Sequence, residues 1–280
     1  MEAPTVSVVI PTRNRAGYLE VALASLCAQD SAEPGEILVV DDGSTDSTAE
    51  VARQAGVDHL RLDPPGGLNA ARNAGVRATR GALVAFVDDD VYAPPRWREE
   101  LAQGAARHPD AEAFGGPIRA RLEGPAPRGC GREPPPITTL DLGSEDVDAP
   151  MVWGSNFAIR REAFAQHGPF DERLAGHGDE EEWLLTLRAG GGRIVYLAGA
   201  GLDHRRAGDD ARLRSLARAA YHRGRAARRT DVRRGAAPTK TGELRTVAGC
   251  GWHTLRRACP QGIIMGAHSA GRLAEAVRRP

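Results

Sequence analysis

Residues 82–90 read Ala-Leu-Val-Ala-Phe-Val-Asp-Asp-Asp, an apolar run that ends in three adjacent carboxylates. Such a run is typical of a strand buried on both faces, as in a parallel sheet. In open α/β sheets, ligands bind beyond the carboxyl ends of the strands. Asp88, Asp89 and Asp90 repel one another there, and a divalent cation would relieve the repulsion. Hard oxygen ligands suit Mg²⁺ or Mn²⁺. The alternative is an acidic strand end that simply faces water.

Other strands alternate with helical patterns on both sides of this run. Val6–Ile10 and Glu36–Val40 are mostly apolar. Apolar residues at helical spacing follow the first, and after the second Ser44 or Thr45 can cap a helix that runs to about Gln54. The second of these strands ends in Asp41 and Asp42. The alternation predicts a doubly wound, mostly parallel α/β sheet flanked by helices.

The second half of the chain has a weaker pattern. Residues 123–150 are rich in proline and glycine, which predicts a long irregular loop. After it we expect a strand over Met151–Ile159 and a last strand over Arg193–Leu197. Beyond His204, apolar residues at helical spacing predict an amphipathic helix with an arginine-rich opposite face.

Charge is unevenly distributed along these 280 residues, although the formal net charge is zero. Residues 205–280 carry 18 Lys and Arg against 5 Asp and Glu, whereas residues 1–204 carry 19 against 32. The acidic part suits a cation and argues against nucleic acid as a partner. The basic part suits an anionic lipid or an anionic substrate.

The four cysteines show neither a CxxC pair nor metal-ligand spacing; they are Cys27, Cys130, Cys250 and Cys259. We therefore expect thiols in a reducing compartment and no zinc site. The first residues enter a strand directly, so we expect no secretory signal, and no apolar run reaches the roughly 18 residues of a membrane helix. These features predict a cytoplasmic protein.

The chain has acidic clusters at residues 41–42, 88–90 and 179–182. These three clusters, in this order, resemble those of the family 2 glycosyltransferases, and the resemblance covers about residues 5–205. The matching segments are Val8–Arg15, Val39–Asp46, Ala71–Gly75, Asp88–Asp90, Trp153–Arg161, Gly168–Glu172 and Gly178–Trp183. The resemblance implies a GT-A fold and an inverting transfer of sugar from a nucleoside-diphosphate sugar to an acceptor hydroxyl. UDP is the commonest donor nucleotide in that family.

The resemblance also implies a set of donor-binding residues: Pro11, Thr12, Asn14, Asp41, Asp42, Arg72, Asp88, Asp89 and Asp90. Within this set, Asp42 is favoured over Asp41 for the contact with the base. Asp90 is the expected direct ligand of Mn²⁺ or Mg²⁺, Asp88 would reach the metal through water or contact the ribose, and Asp89 is the alternative ligand. His204 stands where many of these enzymes place a histidine that faces the metal or the diphosphate.

The sequence departs from the family at the catalytic base. Family members usually have aspartate there, whereas Glu180 stands in this chain. A glutamate can still accept a proton, and Asp179 or Glu181 is the alternative. Trp153 either stacks on a sugar or belongs to the core.

The implied organisation is a catalytic domain at 1–206 and a basic helical extension at 207–280. Within the domain, about 1–110 would bind the nucleotide and about 111–206 the acceptor, which is a glycan, a lipid-linked sugar or a small molecule. The extension either closes over the acceptor site or makes weak peripheral contact with the inner face of the membrane.

Two other functions remain as alternatives. One is a non-catalytic module that binds nucleotide sugars, because the base position is altered. The other is a GT-A-like nucleotidyltransferase, but that class needs a glycine-rich phosphate loop where this chain has Pro11–Asn14.

Overall fold

The computed structural model describes residues 3–30, 35–132, 134–174 and 179–278, without the side chain of Asp179. The chain divides into two compact units. The first contains the described residues up to 119 together with 139–174 and 179–204. The second contains residues 120–138 and the chain from 205 onward. The domain limits expected from the sequence, 1–206 and 207–280, stay predictions.

The strands are β1 (Val6–Thr12), β2 (Glu36–Asp41), β3 (Asp58–Arg61), β4 (Leu83–Val87), β5 (Val91–Tyr92), β6 (Ala113–Gly115), β7 (Ile118–Glu123), β8 (Val147–Asp148), β9 (Asn156–Arg160), β10 (Ile194–Tyr196) and β11 (Leu202–Ala207). The α-helices are α1 (Ala16–Cys27), α2 (Thr48–Ala55), α3 (Leu68–Ala78), α4 (Trp97–Arg107), α5 (Arg161–His167), α6 (Asp179–Ala189), α7 (Leu213–Arg233), α8 (Lys240–Arg257) and α9 (Gln261–Arg278).

An eight-stranded sheet forms the centre of the first unit, in the order β3-β2-β1-β4-β9-β6-β10-β8. The pairs β3–β2, β2–β1, β1–β4 and β6–β10 are parallel. The pairs β4–β9, β9–β6 and β10–β8 are antiparallel. The sheet is therefore mixed, with its parallel part at the N-terminal strands, as the alternating pattern predicted.

Both faces of this sheet are covered, which explains why its central strands are apolar at most positions. Val8 and Ile10 of β1 belong to one buried cluster, and Val9 between them belongs to the other. In β4, Ala85 and Phe86 divide between the two clusters in the same way. Side chains alternate along a strand, so a strand between two layers needs apolar residues on both sides.

The chain after β4 turns at once into β5, and this turn positions the acidic run. Strand β5 pairs antiparallel with β11, Val91 opposite His204 and Tyr92 opposite Asp203. The pairing brings a distant histidine beside the residue that precedes Val91. Strands β1, β2 and β4 are parallel, so their carboxyl ends lie on the same edge of the sheet.

Two details of the predicted strands were wrong. Strand β9 begins at Asn156, because the Asn156 N–H bonds back to the Trp153 carbonyl at 2.9 Å and makes residues 153–156 a turn. The predicted last strand, β10, is followed by another one, β11. The sequence of β11, Leu-Asp-His-Arg-Arg-Ala, is mostly polar and gave no apolar signal.

Helices α7, α8 and α9 make up most of the second unit. Ile137, Leu216, Ala220 and Ile264 form its buried cluster. Two glycines let the backbones of α7 and α9 approach closely. A Cβ atom at Gly224 would lie 1.9 Å from the carbonyl oxygen of His268, and one at Gly271 would lie 2.1 Å from that of Tyr221.

Arginines of α7 pair with carboxylates inside this unit. Arg225 and Arg229 lie 2.8 and 3.4 Å from Glu275, and Arg228 lies 3.5 Å from Glu243. These cationic side chains hold helices together, so nothing in the described structure supports the expected contact with a membrane. Among the described residues, no helix has the length and apolar character needed to cross a bilayer.

Candidate functional site

Asp88, Asp90 and His204 converge at the carboxyl edge of the large sheet. Each offers a ligand atom, and these atoms all lie within 4.8 Å of one another. The Nε2 atom of His204 is 3.3 Å from Oδ1 of Asp90, and both residues are buried. Two carboxylates and an imidazole make a donor set that suits Mn²⁺ or Mg²⁺.

The electrostatics of this cluster favour an added positive charge. Burial raises the pKa of Asp88, and the neighbouring charge of Asp90 raises it further, while His204 and Arg72 offset only part of the increase. Burial also raises the pKa of Asp89 to about 7, against the lowering effect of Arg15. The carboxylates are thus costly to ionise in the protein alone.

Asp89 contacts the end of β1 and shares Arg15 with Asp90. Its Oδ2 atom accepts a hydrogen bond from the Thr12 hydroxyl at 2.7 Å. Arg15 lies 3.3 Å from Asp89 and donates to Oδ2 of Asp90 at 2.8 Å. Thr12, predicted as a nucleotide contact, therefore joins the end of β1 to the acidic run.

The carboxylates at the end of β2 are satisfied within the protein. Asp41 accepts from the backbone N–H of Ser44 at 2.6 Å and from Arg61 at 3.1 Å. Burial tends to raise the pKa of Asp41, but the hydrogen bonds of Ser44 and the charges of Arg61 and His59 outweigh burial and lower it. This carboxylate anchors the loop after β2.

Asp42 is held by the loop that precedes α3. Its Oδ1 atom accepts from the N–H groups of Gly66 and Gly67 at 2.6 and 3.0 Å. Its Oδ2 atom faces Arg13 at 3.6 Å, and more than half of the Arg13 side chain is exposed. Asn14, in a left-handed conformation with φ 54°, accepts from the N–H of Thr45 at 2.7 Å. The predicted base-binding residues thus form one connected loop network beside Pro11.

Glu180, in the first turn of α6, is fixed from two sides. Its Oε1 atom accepts from the backbone N–H of Gly154 at 3.0 Å, and its Oε2 atom lies 3.4 Å from Nη1 of Arg72. A side chain at position 154 would collide, because a Cβ there would lie 2.5 Å from Nη2 of Arg72 and 3.0 Å from the carboxyl carbon of Glu180. Because Gly154 has no side chain, its turn can lie close to Arg72 and Glu180.

Two buried polar atoms beside this carboxylate lack a hydrogen-bond partner within the described residues: Nε of Arg72 and Oγ of Ser155. Arg72 is 2% exposed, and its guanidinium lies 5.5 Å from the ring centre of Phe157. Buried polar atoms in native proteins are nearly always paired, so orphaned ones call for an explanation.

Some expected residues take other roles or lie outside the description. Trp153 is partly buried against the first core cluster, in line with the core alternative. Gly178 lies outside the described residues, and so does the side chain of Asp179, the alternative base. His204 lies within β11 and not after a strand, where sequence reasoning placed it.

Sequence reasoning missed the roles of Arg15 and Gly154. Arg15 was only part of a longer motif, and Arg13 stands two positions away with the same chemistry. Nothing in the linear sequence indicates which of the two meets the acidic run. The role of Gly154 had a weak signal, since small residues precede Asn156.

The chain is similar to known proteins in sequence and in fold. Validoxylamine A glucosyltransferase of Streptomyces hygroscopicus subsp. jinggangensis is 31% identical over 210 residues, which cover 64% of this chain and 50% of that protein. Glucosyl-dolichyl phosphate glucuronosyltransferase of Haloferax volcanii is 28% identical over 216 residues, covering 71% and 69%. The chain spans about half the length of the first of these relatives.

Two solved structures share the fold at low sequence identity. One is the mannosyltransferase PcManGT from Pyrobaculum calidifontis in complex with GDP-Man and Mn²⁺, which superposes with a TM-score of 0.62 at 17% identity. The superposed part covers 99% of this chain and 74% of the mannosyltransferase chain. GalNAc-T7 with UDP, GalNAc and Mn²⁺ gives 0.60 at 20% identity, covering 74% and 44%. The expected GT-A fold is therefore confirmed.

The family assignment rests on the sequence. The family model described as "Glycosyl transferase family 2" matches residues 7–168, which is more than half of the chain and includes β1, the acidic run after β4 and the Gly154 turn. The chain belongs to glycosyl transferase family 2.

Proposed function

We propose that this chain is a metal-dependent inverting glycosyltransferase that moves a sugar from a nucleoside-diphosphate sugar to an acceptor hydroxyl. The observation that carries the proposal is the convergence of Asp88, Asp90 and His204 within 4.8 Å at the ligand edge of the sheet. The fixed carboxylate of Glu180 adds a group suited to proton transfer.

Asp88, Asp90 and His204 are the residues that would hold the cation. Their donor set fits Mn²⁺ or Mg²⁺, and both solved structures named above contain Mn²⁺ with a nucleotide or nucleotide sugar. The cation would neutralise charge on the departing diphosphate. Arg15 lies against two of the three carboxylates, so it limits how much negative charge the site presents before a ligand binds.

We assign Glu180 as the general base for the acceptor hydroxyl. Its carboxylate is held by the Gly154 N–H and by Arg72, so its orientation is set before the acceptor binds. A preoriented base removes the proton as the hydroxyl oxygen attacks the anomeric carbon. Asp179 is the alternative base.

The donor nucleotide would lie against Pro11, Thr12, Asn14, Asp41 and Asp42, with Arg72 and Asp89 nearer the diphosphate and sugar. We propose a UDP-linked donor as the first to test, although the structure of PcManGT contains GDP-Man and that of GalNAc-T7 contains UDP. A contact from Asp42 to a base would compete with the bond from Gly66 or with the exposed Arg13.

The acceptor class stays open among glycans, lipid-linked sugars and small molecules. The two relatives described above are a validoxylamine A glucosyltransferase and a glucosyl-dolichyl phosphate glucuronosyltransferase, and their names indicate one small-molecule and one lipid-linked acceptor. We propose that the reaction takes place in the cytoplasm, where four thiols would stay reduced.

The test is a panel of nucleotide sugars added to the purified chain, with and without Mn²⁺, read by thermal shift and by release of nucleoside diphosphate. A ligand that binds the folded state raises its melting temperature by mass action. We expect one donor to give a metal-dependent shift and slow hydrolysis. Binding without turnover for every donor would favour the non-catalytic module, and pyrophosphate release from a nucleoside triphosphate and a sugar phosphate would favour the nucleotidyltransferase.

A further inference from the structure

A second group of metal-ligating side chains lies in the second unit, away from the acidic run in sequence and different in chemistry. Cys130, His253 and Cys259 each offer a ligand atom, and these atoms lie within 4.8 Å of one another. The Sγ atom of Cys130 is 3.6 Å from Nε2 of His253. All four cysteines of the chain are described, and none forms a disulfide.

Two of the three side chains are brought together by a sharp helix ending. His253 lies in the last turns of α8, which ends at Arg257. Ala258 then adopts a left-handed conformation with φ 47°, and the N–H of Cys259 bonds back to the carbonyl of Thr254 at 3.2 Å. The chain therefore reverses, and the Cys259 side chain returns toward His253.

The third side chain comes from a distant segment. Cys130 lies in the proline- and glycine-rich loop, 123 positions before His253. This separation explains why no metal-ligand spacing is visible in the sequence. Cys259 is buried, while Cys130 and His253 are partly exposed, so an ion could enter from their side.

We propose that Cys130, His253 and Cys259 bind one Zn²⁺ ion, with water in the fourth position. Two thiolates and an imidazole are soft and borderline ligands, which suit zinc and do not suit Mg²⁺. Two thiolates also balance the charge of a divalent ion, so the complex adds no net charge to this partly buried site. Each cysteine loses a proton when the ion binds.

The ion would join the loop around Cys130 to the turn between α8 and α9. It would stabilise the second unit, since it binds the folded arrangement and finds no preformed site in the unfolded chain. The proposal is independent of the proposed sugar transfer, because it involves none of the residues assigned to that reaction.

The experiment uses the full chain, purified under reducing conditions, stripped with a chelator and titrated with Co²⁺ and then with Zn²⁺. We expect a thiolate-to-cobalt charge-transfer band at one equivalent, bleached by one equivalent of Zn²⁺. The band requires sulfur ligands, so an ion bound at Asp88, Asp90 and His204 does not produce it, and Asp90→Asn should leave it unchanged.

Two cysteine variants and a matched control locate the site. Cys130→Ser and Cys259→Ser should each lose the band and weaken Zn²⁺ binding by more than the roughly 10- to 100-fold that loss of an outer-shell partner costs. Cys250→Ser replaces another buried cysteine of the same unit, outside the cluster, and should keep the band.

Three results would overturn the proposal. The wild-type chain could show no sulfur-to-cobalt band, a result that needs no variant to fold. The band could persist in both Cys130→Ser and Cys259→Ser. Mass spectrometry of the chain purified under reducing conditions could show a quantitative Cys130–Cys259 disulfide, which would make the pair a covalent link and not a metal site.

Discussion

Two strands of one sheet end in adjacent carboxylates, yet the two pairs have opposite surroundings. At the end of β2, Asp41 and Asp42 accept backbone hydrogen bonds from Ser44, Gly66 and Gly67. At the end of β4, burial and the charge of Asp90 raise the pKa of Asp88, and the other member of this cluster is the imidazole of His204.

The difference shows that the same sequence feature can serve two purposes. A carboxylate that accepts several N–H bonds is stabilised in its charged form and holds a loop in place. A carboxylate buried beside another carboxylate is destabilised in its charged form, so a cation has more to gain there. The supply of donors, and not the number of acidic residues, separates the two pairs.

The largest effect should come from removing one carboxylate of the β4 pair. Asp90→Asn should lower activity by about 10⁴-fold, if the lost cation is worth about 5 kcal/mol of transition-state stabilisation. The measurement is turnover at limiting Mn²⁺, together with Mn²⁺ affinity from calorimetry.

Asp42→Asn is the matched variant at the β2 pair. Its amide oxygen can still accept from Gly66 and Gly67, so Mn²⁺ affinity should equal that of the wild type. Normal turnover of Asp90→Asn at limiting Mn²⁺, or equal losses of Mn²⁺ affinity in both variants, would mean that the two pairs are chemically alike.

Glu180→Gln should reduce kcat by about 10³-fold, within the range typical of general-base removal, with donor binding nearly unchanged. The amide keeps the bond from the Gly154 N–H but cannot take a proton. Kinetics and donor affinity, measured separately, test this. If Asp179→Asn is inactive and Glu180→Gln is active, the general base is Asp179 and not Glu180.

Gly154→Ala should reduce kcat by about 10²-fold, because a displacement of the order of 1 Å at a catalytic group has that cost. The new Cβ would meet Arg72 and Glu180. Gly17→Ala is the control, since no atom lies within 4 Å of a Cβ at that position of α1. A normal kcat in Gly154→Ala would show that the position of Glu180 is not critical.

Asp41→Ala should lower the free energy of unfolding by about 2 kcal/mol, because it leaves the backbone N–H of the buried Ser44 and the exposed guanidinium of Arg61 without their acceptor. Urea unfolding measures the change. If stability is unaffected, the β2 carboxylates do not anchor their loop, and the contrast with the β4 pair disappears.

The last prediction concerns pH, and its sign differs between Asp89 and Asp41. The folded pKa of Asp89 is about 7, above its unfolded value of 3.8, so the metal-free protein loses stability as pH rises through this window. Asp41 has a lowered pKa, so its stabilisation is present above about pH 4 and is lost as pH falls.

Unfolding titrations at several pH values check this prediction. Asp89→Asn should flatten the decline between about pH 4 and 7, where one group contributes at most about 1.4 kcal/mol per pH unit. Asp41→Asn should reduce the loss below pH 4 and leave the neutral range unchanged. An unchanged profile in Asp89→Asn would contradict the raised pKa.

Sequence reasoning succeeded where local chemistry determines the outcome. The apolar runs of β1, β2 and β4 must be buried on both faces, so a layered sheet with acidic ends followed directly. It could not identify β11, because polar residues conceal its pairing with β5. Sequence reasoning also could not distinguish the carboxylates at the end of β2, which accept several hydrogen bonds, from those at the end of β4, which repel one another. The hydrogen-bond donors at Arg61 and Gly66 come from other elements of the fold.

The second unit has a consequence for how the chain is made. Ile137 emerges from the ribosome well before Leu216 and Ile264, the residues it packs against. During synthesis the segment 120–138 therefore lacks its packing partners until residues 139–204 and the helices after them have been made. Truncation after residue 206 would leave the segment 120–138 without these packing partners in the folded protein. A shortened version for crystallisation or engineering should delete both pieces together and close the gap at residues 119 and 139 with a designed turn.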